Sequence, residues 1–60
     1  MYTKAEMVNI ARELAYVNNR PCYVFNDHGW QTTFQESYAS KYGKYTKCFP
    51  NGKTEEEIEK

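Results

Sequence analysis

The apolar residues near the start of the chain recur at the spacing of an α-helix. Met7, Ile10, Ala11, Leu14 and Val17 follow the i, i+3, i+4, i+7 pattern of one buried stripe. The other side of the helix carries polar residues, namely Lys4, Glu6, Asn9, Arg12 and Glu13. The pattern therefore predicts an amphipathic helix from about residue 4 to residue 17, with this stripe against the core.

Both ends of this helix carry boundary signals. Thr3 is a good N-cap and Glu6 stands three residues later, which is the spacing of a capping box. Tyr2 and Met7 occupy the two positions of a hydrophobic staple across the same boundary. Pro21 lacks a backbone N–H and prevents the helix from continuing.

The pattern then changes to that of β-strands. Cys22 to Asn26 is rich in strand-forming residues, and Trp30 to Gln35 alternates in character. The tripeptide Asp27-His28-Gly29 joins the two segments, and Gly29 stands where a three-residue hairpin loop needs a left-handed residue. The sequence therefore predicts a hairpin in which Val24 lies near Thr32.

This register divides the hairpin side chains between two faces. One face carries Cys22, Val24, Trp30 and Phe34, and we assign it to the helix stripe. The other face carries Tyr23, Phe25, Gln31 and Thr33. The predicted core consists of six residues: Ile10, Leu14, Val17, Val24, Trp30 and Phe34.

The second half of the chain gives weaker signals. Tyr38, Tyr42 and Tyr45 have helical spacing, Gly43 would end a short helix, and residues 45–49 favour a third strand. Pro50-Asn51-Gly52 indicates a turn. Thr54 and Glu57 repeat the capping-box spacing, but too few residues follow for a stable helix, so we expect a frayed tail.

Together these patterns predict an α+β fold. One N-terminal amphipathic helix packs on a small antiparallel sheet of two or three strands. Residues 1–53 form a single domain, and residues 54–60 form an acidic C-terminal tail. A chain of 60 residues is too short for a second domain.

Charge and hydropathy narrow the functional classes. Eight basic and eight acidic residues give a net charge of zero, which disfavours a nucleic-acid binder driven by bulk charge. Residues 37–53 hold four lysines and no acid, whereas residues 55–59 hold four glutamates. The acidic tail could therefore fold back on the lysine segment.

No signal peptide or membrane segment is visible, so we expect a cytoplasmic protein with reduced thiols.

Tyrosines and lysines interleave from Tyr38 to Lys47, and this is the leading candidate site. Aromatic faces stack on ligands, and lysines neutralise phosphates or acidic protein surfaces. The alternative is a packed tyrosine core beneath a solvated lysine face. The candidate partner-binding residues are Tyr23, Phe25, Tyr38, Lys41, Tyr42, Lys44 and Tyr45. Tyr23 and Phe25 need a cover, which could be residues 36–45, a second copy of the chain or a foreign partner.

Catalytic and metal chemistry have little support in the sequence. The Asp27-His28 pair could orient an imidazole, but no nucleophile can be placed beside it, and Asp-His-Gly is typical of a turn. Cys22, His28 and Cys48 match no zinc spacing. A Cys22–Cys48 disulfide would join the first and last strands, but the expected cytoplasm disfavours it. We therefore expect no metal, no cofactor and no enzymatic activity.

The aromatic-rich and motif-free chain resembles, in general character, small accessory proteins of bacterial viruses, such as inhibitors of host enzymes. The excess of tyrosine, the lack of a catalytic motif and a size too small for a deep pocket favour a non-enzymatic binding module. With the resemblance, they predict an inhibitor or modulator of a larger protein. The alternative hypothesis is a binder of nucleotides or single-stranded nucleic acid, assembled as a homo-oligomer so that two chains create a pocket.

Overall fold

The computed structural model describes residues 2–57 and confirms the α+β class. Its elements are α1 (Lys4–Asn18), β1 (Cys22–Asn26), β2 (Trp30–Thr33), α2 (Glu36–Ser40), β3 (Tyr45–Cys48) and β4 (Thr54–Glu57). All neighbouring strands are antiparallel, in the order β2-β1-β3-β4. The sheet thus has four strands, whereas two or three were predicted.

The predicted capping box starts α1. The Thr3 hydroxyl oxygen accepts a hydrogen bond from the Glu6 backbone N–H at 3.2 Å, and the Glu6 carboxylate accepts one from the Thr3 N–H at 2.8 Å. The helix ends at Asn18, and the C-cap residue Asn19 has a left-handed backbone (φ 53°) and donates its N–H to the carbonyl groups of Ala15 and Tyr16. The helix therefore extends one residue beyond the predicted end.

The main core lies between α1 and one face of the sheet. Its fully or nearly buried members are Met7, Ala11, Ala15, Cys22, Val24 and Cys48. Val8, Ile10, Leu14, Trp30 and Phe34 pack against them and are partly buried. Two alanines on the contact line allow α1 to approach the strands closely.

The prediction that Val17 belongs to the core was wrong, because Val17 is 72% exposed. The buried line of α1 runs through Met7, Ala11 and Ala15. Val17 follows Ala15 by two positions, which places it on nearly the opposite side of a helix with 3.6 residues per turn.

The register of the first hairpin is the predicted one. Val24 pairs with Thr32 and Asn26 with Trp30, so alternate residues of β1 point to opposite faces. The loop differs in one detail, because His28 (φ 57°) takes the left-handed conformation and Gly29 follows with φ 140°.

The segment after the Pro50-Asn51-Gly52 turn is a strand and not a frayed tail. The Gly52 N–H donates to the Phe49 carbonyl at 3.0 Å, and Gly52 adopts φ 91°. β4 then pairs with β3, so residues 54–57 belong to the sheet. The expected tail beyond residue 57 lies outside the described residues.

The acidic strand does meet basic residues. The Glu56 carboxylate lies 3.0 Å from the Lys4 ammonium and 3.1 Å from that of Lys44. Hydrogen bonds from these two lysines lower the pKa of Glu56 below its ordinary value. Glu56 thus links β4 to the start of α1 and to the residue before β3.

Candidate binding surface

Tyr23 and Phe25 are covered by the chain itself. They are 6% and 1% exposed and form a second core cluster with Ala39 of α2 and with Tyr45. This cluster lies on the sheet face opposite α1. Of the three covers considered from the sequence, the structure therefore shows residues 36–45. The two rings form the base of the site and do not reach its surface.

Phe25 supports two tyrosines that do reach the surface. Its ring stacks on Tyr42 with centroids 5.0 Å apart and an interplanar angle of 21°. Tyr38 meets Phe25 edge-on at 5.5 Å, and Tyr38 and Tyr42 also meet at 5.5 Å. Each of the three rings thus contacts the other two, and aromatic pairs of this kind contribute beyond their buried area.

Tyr38 and Tyr42 remain 38% and 37% exposed. Their positions four residues apart bring the rings to one side of α2 and of the turn that follows it. The Tyr42 hydroxyl donates a hydrogen bond to the Tyr38 hydroxyl at 3.4 Å. This hydrogen bond, together with desolvation and the negative charge of Asp27, raises the pKa of Tyr42 to about 12.

The raised pKa predicts a loss of stability at alkaline pH. Tyr42 ionises near its ordinary pKa of 10.0 when the chain is unfolded but near 12 when it is folded. The contribution of Tyr42 to the free energy of unfolding is therefore complete below about pH 10 and is lost as the pH rises towards 12. Urea unfolding midpoints measured across this range should fall more steeply for the wild type than for Tyr42→Phe. Parallel curves for the two proteins would contradict this assignment.

Tyr45 belongs to the interior of the site. It is 7% exposed, and its hydroxyl donates to the Glu36 carboxylate at 2.8 Å. Its ring also meets Tyr23 edge-on at 5.8 Å. Tyr45 therefore holds the start of α2 against the sheet.

The lysines of the segment have partners within the chain. Lys41 is exposed, and its ammonium lies 5.8 Å from the centre of the Tyr38 ring. Lys44 is exposed but lies against Glu56. Lys47 packs over the Tyr23 and Phe49 rings, at 5.8 and 5.0 Å. Two of these three cations are thus engaged away from Tyr38 and Tyr42.

Three of the seven candidate residues share one exposed area around α2. We call this area the α2 surface, and it comprises Tyr38, Lys41 and Tyr42. Tyr23, Phe25 and Tyr45 lie beneath it, and Lys44 lies against Glu56 instead. The sequence did not identify Asp27 as part of the site. Its carboxylate lies close enough to the Tyr42 phenol to raise the pKa of that group, so the hairpin loop borders the site.

A shallow groove on the α1 side was also missed. Its volume is about 370 Å³, and its lining combines one stripe of α1 with the β3–β4 turn: Asn9, Arg12, Glu13, Tyr16, Pro50, Asn51 and Gly52. The i, i+3, i+4, i+7 spacing of the four helix residues was the available sequence signal.

The two cysteines considered for metal binding lie in the main core and not at the α2 surface tyrosines. Cys22 and Cys48 are free thiols with no exposed area in the main core. Burial raises the pKa of both, that of Cys48 to about 11, which disfavours the reactive thiolate. The His28 side chain is 97% exposed and lies 3.8 Å from Asp27. Within residues 2–57, no three side chains are grouped as metal ligands would be.

Comparison of the sequence and structure with known proteins does not assign the chain to a family. No protein-family model, no curated protein and no solved structure matches the chain. Neither described helix is long and apolar enough to cross a bilayer.

Proposed function

We propose that the chain is a small non-enzymatic binding module that docks on a larger protein, as an inhibitor or modulator, through the α2 surface. The observation that carries the proposal is the pair of half-exposed tyrosines held in place by buried Phe25. Tyrosine is enriched among the residues that dominate binding energy at protein interfaces.

The packing of the two rings favours binding for an entropic reason. A side chain that is already ordered loses less freedom when a partner covers it. Tyr38 and Tyr42 each contact Phe25 and each other, so their orientations are largely fixed before binding. The Tyr42 hydroxyl donates its proton to the Tyr38 oxygen, which leaves the Tyr38 O–H to donate to an acceptor on the partner.

The charge at the rim indicates the kind of partner. Lys41 lies beside the Tyr38 ring, so the best-matched protein surface has an apolar pocket with a carboxylate at its edge. Binding of a nucleotide or single strand remains the alternative, because Lys41 lies beside a stackable Tyr38 ring. It is less well supported, since Lys44 and Lys47 already interact within the chain.

The test is a comparison of variants against a partner identified by mass spectrometry after affinity capture. Tyr38→Ala combined with Tyr42→Ala should raise the dissociation constant of the purified complex by about 30-fold or more. A change of this size is typical of an interface hot spot. Tyr16→Ala is the matched control, because Tyr16 is 75% exposed on α1, away from α2.

Circular dichroism should first show that the double variant is folded. Lys41→Glu gives a second test that leaves the ring packing on Phe25 intact, and it should also weaken binding. Equal affinity of wild type and these variants would overturn the proposal. A partner that proves to be nucleic acid, with affinity that falls steeply with salt, would favour the alternative.

A further inference from the structure

The two edges of the sheet differ in charge. β4 carries Glu55 and Glu56, and charged side chains are one way in which proteins prevent edge strands from pairing. β2 at the other edge consists of Trp30–Thr33 and has no charged residue or proline. Among residues 2–57, no strand lies on its outer side. β2 is therefore the edge that is open to another strand.

Hydrogen bonds of the hairpin show which backbone groups of β2 point outward. The Asp27 N–H donates to the Gly29 carbonyl at 2.9 Å, which makes these two residues a hydrogen-bonded pair. In an antiparallel ladder such pairs alternate with non-hydrogen-bonded ones. Gln31 and Thr33 therefore bond to β1, whereas the N–H and C=O groups of Thr32 point away from the sheet.

We infer that β2 pairs with β2 of a second copy of this chain, in antiparallel register centred on Thr32. The pairing is self-complementary, because each Thr32 meets the other and Trp30 lies opposite the second copy's Phe34. Trp30 and Phe34 are both only partly buried in the single chain. Cross-strand aromatic pairs of this kind stabilise antiparallel ladders.

Charge selects β2 over β4 as the edge at which two copies pair. Two β2 strands bring together only uncharged strand residues, whereas two β4 strands would oppose their glutamates. Two cations pack over the rings beside β2, namely Lys4 over Trp30 at 5.6 Å and Arg20 over Phe34 at 4.8 Å. The register brings Lys4 of one copy towards Arg20 of the other, so the dimer should become tighter as added salt screens these charges.

The interface has a limited size. About five residues from each strand bury less than the roughly 1,200 Å² of a standard interface, so the dimer should be weak and concentration-dependent. Its two-fold axis runs perpendicular to the sheet, which leaves both copies of α2 on the same side. The dimer would therefore present two α2 surfaces in one direction. Formation of the dimer does not depend on the binding function proposed for the α2 surface.

Sedimentation velocity over a range of concentrations tests the inference. The wild-type mass should rise from 7.1 kDa towards twice that value as the concentration increases. Thr32→Pro removes an outward N–H without breaking a bond to β1, and it should raise the dimer dissociation constant by roughly tenfold to a hundredfold.

Thr54→Pro is the matched control at the other edge. The Phe49 N–H donates to the Lys53 carbonyl at 2.8 Å, so the same alternation directs the Thr54 N–H outward from β4. This variant should dimerise like the wild type. Loss of the dimer in Thr54→Pro but not in Thr32→Pro would place the contact at β4 and overturn the inference.

Amide hydrogen exchange gives a second readout that needs no variant. Exchange at the Thr32 N–H of the wild type should slow as the concentration rises, whereas exchange at Thr54 should stay constant. A mass that remains at 7.1 kDa at all concentrations, or a Thr32 rate that does not change, overturns the inference. Protection of Thr32 only when a different protein is added would assign the edge to a foreign strand instead.

Discussion

Replacement of Phe25 by alanine is expected to lower the free energy of unfolding by about 3–5 kcal/mol. Phe25 is 1% exposed and is among the largest fully buried side chains of the protein. Its removal would leave a cavity and would also take away the ring on which Tyr38 and Tyr42 pack. A chain of this length has roughly 3–9 kcal/mol of stability, so the variant should be largely unfolded or close to it.

Urea unfolding followed by circular dichroism would measure the effect. Phe25→Leu is the control, because it retains much of the buried apolar volume and should restore part of the stability. If Phe25→Leu folds but loses partner binding, the support of the two tyrosines matters separately from stability. A Phe25→Ala midpoint close to that of the wild type would contradict the packing described for this side of the sheet.

Replacement of Ala11 by leucine should also destabilise the fold, by about 1–3 kcal/mol. Ala11 has no exposed area and lies where α1 meets the sheet. A larger side chain there must push the helix away from β1 and β3, even though leucine has nearly the helix propensity of alanine.

Ala5→Leu provides the matched control in the same helix. Ala5 is exposed, so the same substitution should change the free energy of unfolding by less than about 0.5 kcal/mol. Thermal or urea unfolding of the two variants side by side would isolate the packing effect. Equal stability of Ala11→Leu and Ala5→Leu would mean that α1 is not held as closely as the structure shows.

The first half of the fold could be predicted because its signals are local. Thr3 and Glu6 form the capping box that their spacing indicated, and Val24 pairs with Thr32 as the hairpin pattern required. Val17 was misplaced because the spacing of apolar residues does not show which part of the stripe faces the sheet. The alanines at the contact carry little hydrophobic signal, although they determine how α1 packs.

The second half depends on contacts between distant residues. Thr54–Glu57 has the composition of a solvated tail, because glutamate is depleted in strands. It forms β4 because the preceding turn returns the chain to β3, opposite residues such as Lys47. Tyr45 shares the helical spacing of Tyr38 and Tyr42, but Gly43 (φ 90°) ends that segment and Tyr45 starts a strand.

Only part of the candidate site could be predicted, because the rest of it also depends on contacts between distant residues. The tyrosine and lysine spacing identified Tyr38 and Tyr42, which are half-exposed in the structure. It could not distinguish them from Tyr45, because burial of Tyr45 requires knowledge of where α2 lies. The position of α2 over β1 follows from tertiary packing, and this alone decides that Tyr23 and Phe25 are covered.

The strand order β2-β1-β3-β4 also has a consequence for how the chain reaches this structure. β1 with β2, and β3 with β4, are hairpins whose partners are close in sequence, so each closes with a small entropic cost. The contact between β1 and β3 instead joins residues separated by α2, as in the Cys22–Cys48 pair. We therefore expect the association of the two hairpins to set the folding rate, with pairs along β1 and β3 formed in its transition state.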